Sequence, residues 1–193
     1  NTAMKTYRGV GIVMLLVLGG VALYLLSGGV IGGAGYTNEA LGFSFDYRTG
    51  PNGYVLQEAK AQVGTKTDFV TNIVLTGTKE LAAFREQAEA REGPPTIGVM
   101  VFKNSQNLFP EEWAKENRTY SNIDLVVGDQ VEMEVDGAKA VRYIVDGLYR
   151  LDTVVVAEKN YIYVFTGALV EGDSPIEKDF EPFLESVRFV DRQ

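Results

Sequence analysis

The sequence predicts an α+β fold, one antiparallel β-sheet covered by helices, preceded by one transmembrane helix. Three observations predict it. Residues 9–38 form a run of 30 positions without a charge. From Gly42 to Ala168, segments rich in Val, Ile, Tyr and Phe alternate with turn clusters at the spacing of a strand meander. Helix-start signals are few, and the clearest stand at Pro110 and Pro175.

The first element is the apolar run. Val10 to Leu26 is almost wholly apolar, and the pattern continues to Ile31. A helix of that length spans about 33 Å at 1.5 Å per residue, against a hydrocarbon core of about 30 Å. It shows no polar face at 3.6-residue spacing. Two readings stand: a retained signal anchor, and a cleavable signal peptide with Lys5 and Arg8 as its basic flank. The length of the run and the missing A-x-A site favour the retained anchor. The expected division is a cytoplasmic flank at 1–8, a membrane helix at 9–31, a glycine-rich linker at 32–38 and an extracytoplasmic domain at 39–193, because basic residues stay on the cytoplasmic side. Gly19 and Gly20 are candidates for helix–helix contact, and Gly28 and Gly32 have the small-xxx-small spacing that allows close approach.

In the domain, Gly42 to Tyr47 alternates aromatic and polar residues, and Arg48 to Gly53 is a turn cluster. Tyr54 to Glu58, Phe69 to Leu75 and Thr96 to Phe102 read as strands. A meander follows: Val131 to Val135, an Asp136-Gly137 type I′ turn, Ala138 to Val145, Leu148 to Ala157, and Tyr161 to Ala168. Lys79 to Glu92 has helix-forming residues with few apolar anchors. Pro110 to Asn117 opens a short helix with Glu111 and Glu112 at its positive end. Ser174-Pro175-Ile176-Glu177 reads as a capping box, and the helix it starts should kink or restart at Pro182. Val187 to Val190 closes the chain as a short strand.

Composition excludes several chemistries. With no cysteine and no histidine, the chain holds no disulfide, Cys/His zinc site, Cys nucleophile or Ser-His-Asp triad. All 26 acids but only 16 of the 18 bases lie from Tyr36 onward, which gives that part a charge of −10. Such a surface argues against nucleic-acid binding, which needs clustered Lys and Arg.

Certain segments resemble a known family. Tyr36-x-Asn38 followed by Leu41 to Tyr47 is similar to the opening of PsbP-like domains. Leu108 to Ala114 (LFPEEWA) resembles their first short helix, and Val135 to Tyr143 (VDGAKAVRY) their central hairpin. The resemblance covers most of residues 36 to 190, and its motifs mark a fold rather than a chemistry. It implies an α/β/α sandwich and an extracytoplasmic accessory role, binding and steadying larger membrane complexes. The absence of histidine departs from the family's metal site.

The residues offer three candidate sites. Glu132, Glu134 and Asp136 share one strand face, where they could seat Ca²⁺ or serve glycoside chemistry. Regular alternation with Val131, Met133 and Val135 is equally what a solvent-facing strand shows. Trp113, Phe109 and Leu108 form either a contact patch or the inner face of a helix. Tyr161, Tyr163 and Phe165, with Tyr143, form an aromatic stripe for packing or for binding. The expectation is a membrane-anchored accessory module that binds other protein subunits and lipid, with no catalytic residues, no metal and no cofactor, and hence no enzyme. Partner contacts are expected at Trp113, Phe109, Tyr161 and Tyr163. A pilin-like filament subunit packed through its hydrophobic helix is the alternative, although that helix lacks an early Glu. A surface hydrolase on the acidic strand is the third reading.

Overall fold

The structure, a computed structural model, describes residues 33–60, 68–86, 93–170 and 175–190. Gly33–Asn38 (β1) and Phe43–Arg48 (β2) come first, followed by Tyr54–Lys60 (β3), Phe69–Gly77 (β4), helix Thr78–Glu86 (α1) and Thr96–Lys103 (β5). Two short helices, Pro110–Glu116 (α2) and Arg118–Ser121 (α3), lead to a meander of Val126–Val135 (β6), Ala138–Asp146 (β7), Arg150–Glu158 (β8) and Tyr161–Leu169 (β9). Helix Pro175–Ser186 (α4) and Arg188–Phe189 (β10) end the described chain.

Seven strands pair antiparallel in the order β3-β4-β5-β9-β8-β7-β6, and β1-β2-β10 form a second antiparallel sheet. After β5 the chain crosses one face through α2 and α3, enters at the far edge as β6, and meanders back until β9 pairs with β5. The large sheet is therefore built from its two edges inward, the last strand to join being β9 between β5 and β8. Its outer strands are β3 and β6.

This corrects the predicted fold class. Instead of one sheet covered by helices, the described residues hold two sheets, and strand dominates helix. On one face of the large sheet α4 shares the cover with the small sheet, because Phe43 and Phe45 of β2 bury their rings as completely as a helix face would. Gly33–Asn38, read from sequence as part of a linker, is strand β1, in register with β2 from Gly33↔Arg48 to Asn38↔Phe43. Tyr36 anchors it, its ring stacked 5.0 Å from Phe45. No described helix is long and apolar enough to cross a membrane, and the longest, α4 with 12 residues, covers only about 18 Å. The predicted span 9–31, the flank 1–8 and the candidate contacts Gly19, Gly20, Gly28 and Gly32 lie outside the described residues.

The large sheet buries both faces. Tyr163 and Phe165 of β9, Val154 and Val156 of β8, and Val99 and Val101 of β5 point towards β2 and α4. The alternate residues Ile162, Val164, Val155 and Phe102 point towards α2, with Trp113 and Ala114. Burial on both sides explains why β8 and β9 read as continuous apolar runs rather than alternations. Each such Val, Ile or Phe contributes about 1.5–3 kcal/mol.

Helix α4 places Ile176, Phe180, Phe183 and Leu184 in the core. Of the two expected outcomes at Pro182, a restart does not occur: Pro175–Ser186 is one helix with Pro182 inside it. The missing N–H of Pro182 costs one helix hydrogen bond, and four buried apolar side chains hold the helix against that loss. Ser174, the predicted cap, lies outside the described residues, as does the predicted helix beyond Glu86.

Candidate functional site

The α2 segment splits its aromatic pair. Trp113 is only 3% exposed, its ring 4.9 Å from that of Phe102, so it is a core residue. Phe109 precedes Pro110 at the helix start. Its N–H donates to Glu112 Oε2 at 3.1 Å and its carbonyl accepts from the Trp113 N–H, which fixes the turn. That geometry turns the Phe109 ring outward, 57% exposed, with Lys139 Nζ of β7 5.0 Å from its centroid. Such a cation–π contact at the surface contributes about 0.5–1 kcal/mol.

The aromatic stripe also divides. Tyr163 is buried, and its hydroxyl donates to the Leu41 carbonyl at 2.7 Å, which ties β9 to the loop after β1. Tyr161 is half-buried and lines a cleft of about 80 Å³ with Leu41, Gly42, Glu158, Lys159, Asn160 and Val190. Tyr143 lies on the opposite face of the sheet, where its hydroxyl donates to the Ser121 carbonyl at 3.0 Å. Burial pushes its phenol well above the usual range. A second cleft, of about 100 Å³, lies by Asn104, Leu108 and Trp113. Both are well below the roughly 300 Å³ at which small-molecule sites begin.

The acidic strand is β6. Glu132 pairs across from Val141, and Glu134 from Lys139, while Val131, Met133 and Val135 face the other side. Asp136 sits in the turn with φ 49°, followed by Gly137 with φ 78°, as a type I′ turn requires. Its carboxylate accepts from the Phe189 N–H at 2.7 Å and so fastens β10 to the hairpin. Structure thus separates Asp136 from the two glutamates. Among the described residues no group of three or more acids lies close enough to hold a metal ion.

One charged group escaped the sequence reading. Asp152 of β8 is buried, and accepts from Arg142 Nε at 3.0 Å and from Arg142 Nη2 at 2.6 Å. Arg142 Nη1 also lies 2.8 Å from Glu181 of α4. The two carboxylates hold the Arg142 guanidinium above its ordinary pKa. The signal was available: a lone acid within the apolar run Leu151–Val156 has to be paired if the strand is buried.

Exposed apolar side chains lie along the β6 edge on both faces of the sheet, Val131 on the α4 face and Phe109 at Lys139 on the α2 face. Val131 on β6 is 57% exposed, Leu125 immediately precedes the strand, Leu148 lies in the β7–β8 connection, and Phe109 covers Lys139 of the neighbouring strand. Glu132, Glu134 and Lys139 supply charge among them. Chemically, the arrangement offers apolar anchors with polar neighbours, which is how protein interfaces are built.

No protein-family model matches the chain, and no curated protein matches it. A solved structure does. The solution structure of cyanobacterial PsbP (CyanoP) from Synechocystis aligns with a TM-score of 0.55 at 10% sequence identity, covering 83% of this chain and 94% of that one. At such identity the likeness concerns the fold, and in fold this β-rich chain is PsbP-like.

Proposed function

We propose that this chain is an accessory module that binds protein subunits of a larger assembly through the β6 side of its large sheet. One observation carries the reading: Phe109, Leu125, Val131 and Leu148 are exposed beside a single outer strand whose own polar face is charged. Apolar anchors at a charged rim suit a protein partner, and the clefts at Tyr161 and Trp113 are too small for a metabolite. The PsbP-like fold supports an accessory role. We further propose that the module acts by contact and carries no catalytic centre, and that it works at a membrane surface outside the cytoplasm. The latter rests on the sequence alone, on the uncharged apolar run from Val10 to Ile31 and the basic flank of Lys5 and Arg8 before it.

A photoreactive residue placed at Phe109 or at Val131 of the full chain, in its native cells, tests the contact surface. Both positions should give the same discrete adduct, identified by mass spectrometry. The exposed Phe84 of α1, away from β6, should not. Equal labelling at all three positions, or no adduct at any, contradicts the reading.

A further inference from the structure

We propose that β6 accepts an extended segment of a partner protein as an added antiparallel strand, and that this segment alternates basic and apolar residues. The inference rests on the accessory reading above and specifies its partner chemistry.

The register identifies the open groups. A two-residue turn at Asp136-Gly137 makes Val135 and Ala138 a hydrogen-bonded pair. Bonding alternates along an antiparallel ladder. Met133 and Val131 therefore direct their N–H and C=O groups at β7, while Glu134 and Glu132 direct theirs away from it. No strand lies on that side, since β6 pairs with β7 alone among the described strands. The bulge between Val127 and Val131, with Gly128 at φ 80°, interrupts the regular edge. The site is thus the five residues Val131–Val135, about 17 Å of strand.

The side chains then select the occupant. Residues that hydrogen-bond to Glu132 and Glu134 would lie about 5.5 Å away, Cα to Cα, with side chains on the same face as the two carboxylates. Lysine or arginine suits those positions. Between them, the added strand turns its other side chains to the face of Val131 and Met133, where Val131 is largely exposed and an apolar residue would cover it. A second copy of β6 is disfavoured, because it would set glutamates directly against glutamates. The fit is to a different, basic strand, the mode by which peptides extend an open sheet edge.

The probes are three capped six-residue peptides: one alternating lysine and valine, one alternating glutamate and valine, and one with three lysines followed by three valines. Each is titrated into the full chain while backbone amide signals are followed by nuclear magnetic resonance. The lysine–valine peptide should bind at least tenfold tighter than the other two, with the largest shifts at the Glu132 and Glu134 amides. The Glu132→Lys/Glu134→Lys variant should prefer the glutamate–valine peptide instead. Glu134→Pro removes an outward N–H and leaves the β7 ladder intact, so it should weaken binding at least tenfold, with a circular-dichroism melt confirming the fold. Equal binding of the blocked lysine peptide, shifts confined to other strands, or an unaffected proline variant would overturn the inference, as would no binding at all. The charge-swapped variant keeps it testable should the proline variant not fold. If Phe109 and Val131 still crosslink their partner while the peptides fail, the added strand is wrong and the accessory reading survives. Loss of those crosslinks in the parent chain removes the accessory reading itself.

Discussion

Truncation of Asp152 to alanine should destabilise the domain by about 2–3 kcal/mol. The carboxylate is buried on β8 and takes two hydrogen bonds from Arg142 of β7, at 3.0 and 2.6 Å. Breaking a buried ion pair from one side costs about 3–5 kcal/mol, because the remaining charge stays unpaired. Here that cost is smaller: the Arg142 side chain is 29% exposed and keeps Glu181 at 2.8 Å. What is lost is mainly two charge-assisted hydrogen bonds, in the range of about 1.5–3 kcal/mol. Urea denaturation of the Asp152→Ala, Arg142→Ala and double variants, followed by tryptophan fluorescence of Trp113, gives the coupling directly. The midpoint should fall with an unchanged slope, and the double variant should lose clearly less than the two single losses added together. A loss below about 0.5 kcal/mol for Asp152→Ala, or strictly additive losses, would refute the reading of this pair as a buried tie between β7 and β8.

Other expectations follow from particular contacts. A methyl group added at Gly167 would sit 2.6 Å from the Phe180 ring, so Gly167→Ala should cost about 1–3 kcal/mol through displaced packing of α4, measured by thermal melting. Gly137→Val places a β-branched side chain at φ 78° and should destabilise the β6–β7 turn by at least about 1 kcal/mol. Trp113→Ala, by contrast with an interface role, should cost about 3–5 kcal/mol of stability, whereas Phe109→Ala should leave the melting temperature within a degree or two and weaken partner crosslinking. Burial raises the phenol of Tyr36 to about 12 and those of Tyr54 and Tyr143 above their ordinary value. Their unfolded forms ionise first, near pH 10. This contribution to stability is therefore complete below pH 10 and is lost as pH rises towards the folded values. Absorbance at 295 nm should show these tyrosines ionising only as the domain unfolds; a single unperturbed titration near pH 10 in the folded chain would contradict their burial.

Much of the strand framework was legible because it rests on local patterns. The alternation of Phe43, Phe45 and Tyr47, the Asp136-Gly137 turn and the Pro110 helix start each depend on neighbours in sequence. The second sheet was not legible. Gly33–Asn38 has one large side chain, Tyr36, and its strand character comes from pairing with β2 rather than from its own pattern. The aromatic stripe was legible for Tyr161, Tyr163 and Phe165, which share one face of β9, but not for Tyr143: it has a similar strand context, and only the pairing order of β7, β8 and β9 puts it on the opposite face. At the candidate surface, alternation identified the face of Glu132 and Glu134 correctly. It could not show that β6 is an outer strand, which leaves Val131 exposed on the side that reads as core. Trp113 and Phe109, four residues apart, differ because the helix cap turns one ring in and the other out.

Hydrogen exchange, read in the chain alone and in the crosslink-validated complex, tests the claim that β6 is the contact strand. The account predicts new protection in residues 131–135, greatest at the amides of Glu132 and Glu134, together with the Phe109 segment, and no change along β3 at the opposite edge. Unaltered exchange at 131–135 with new protection along β3 or α1 would contradict it.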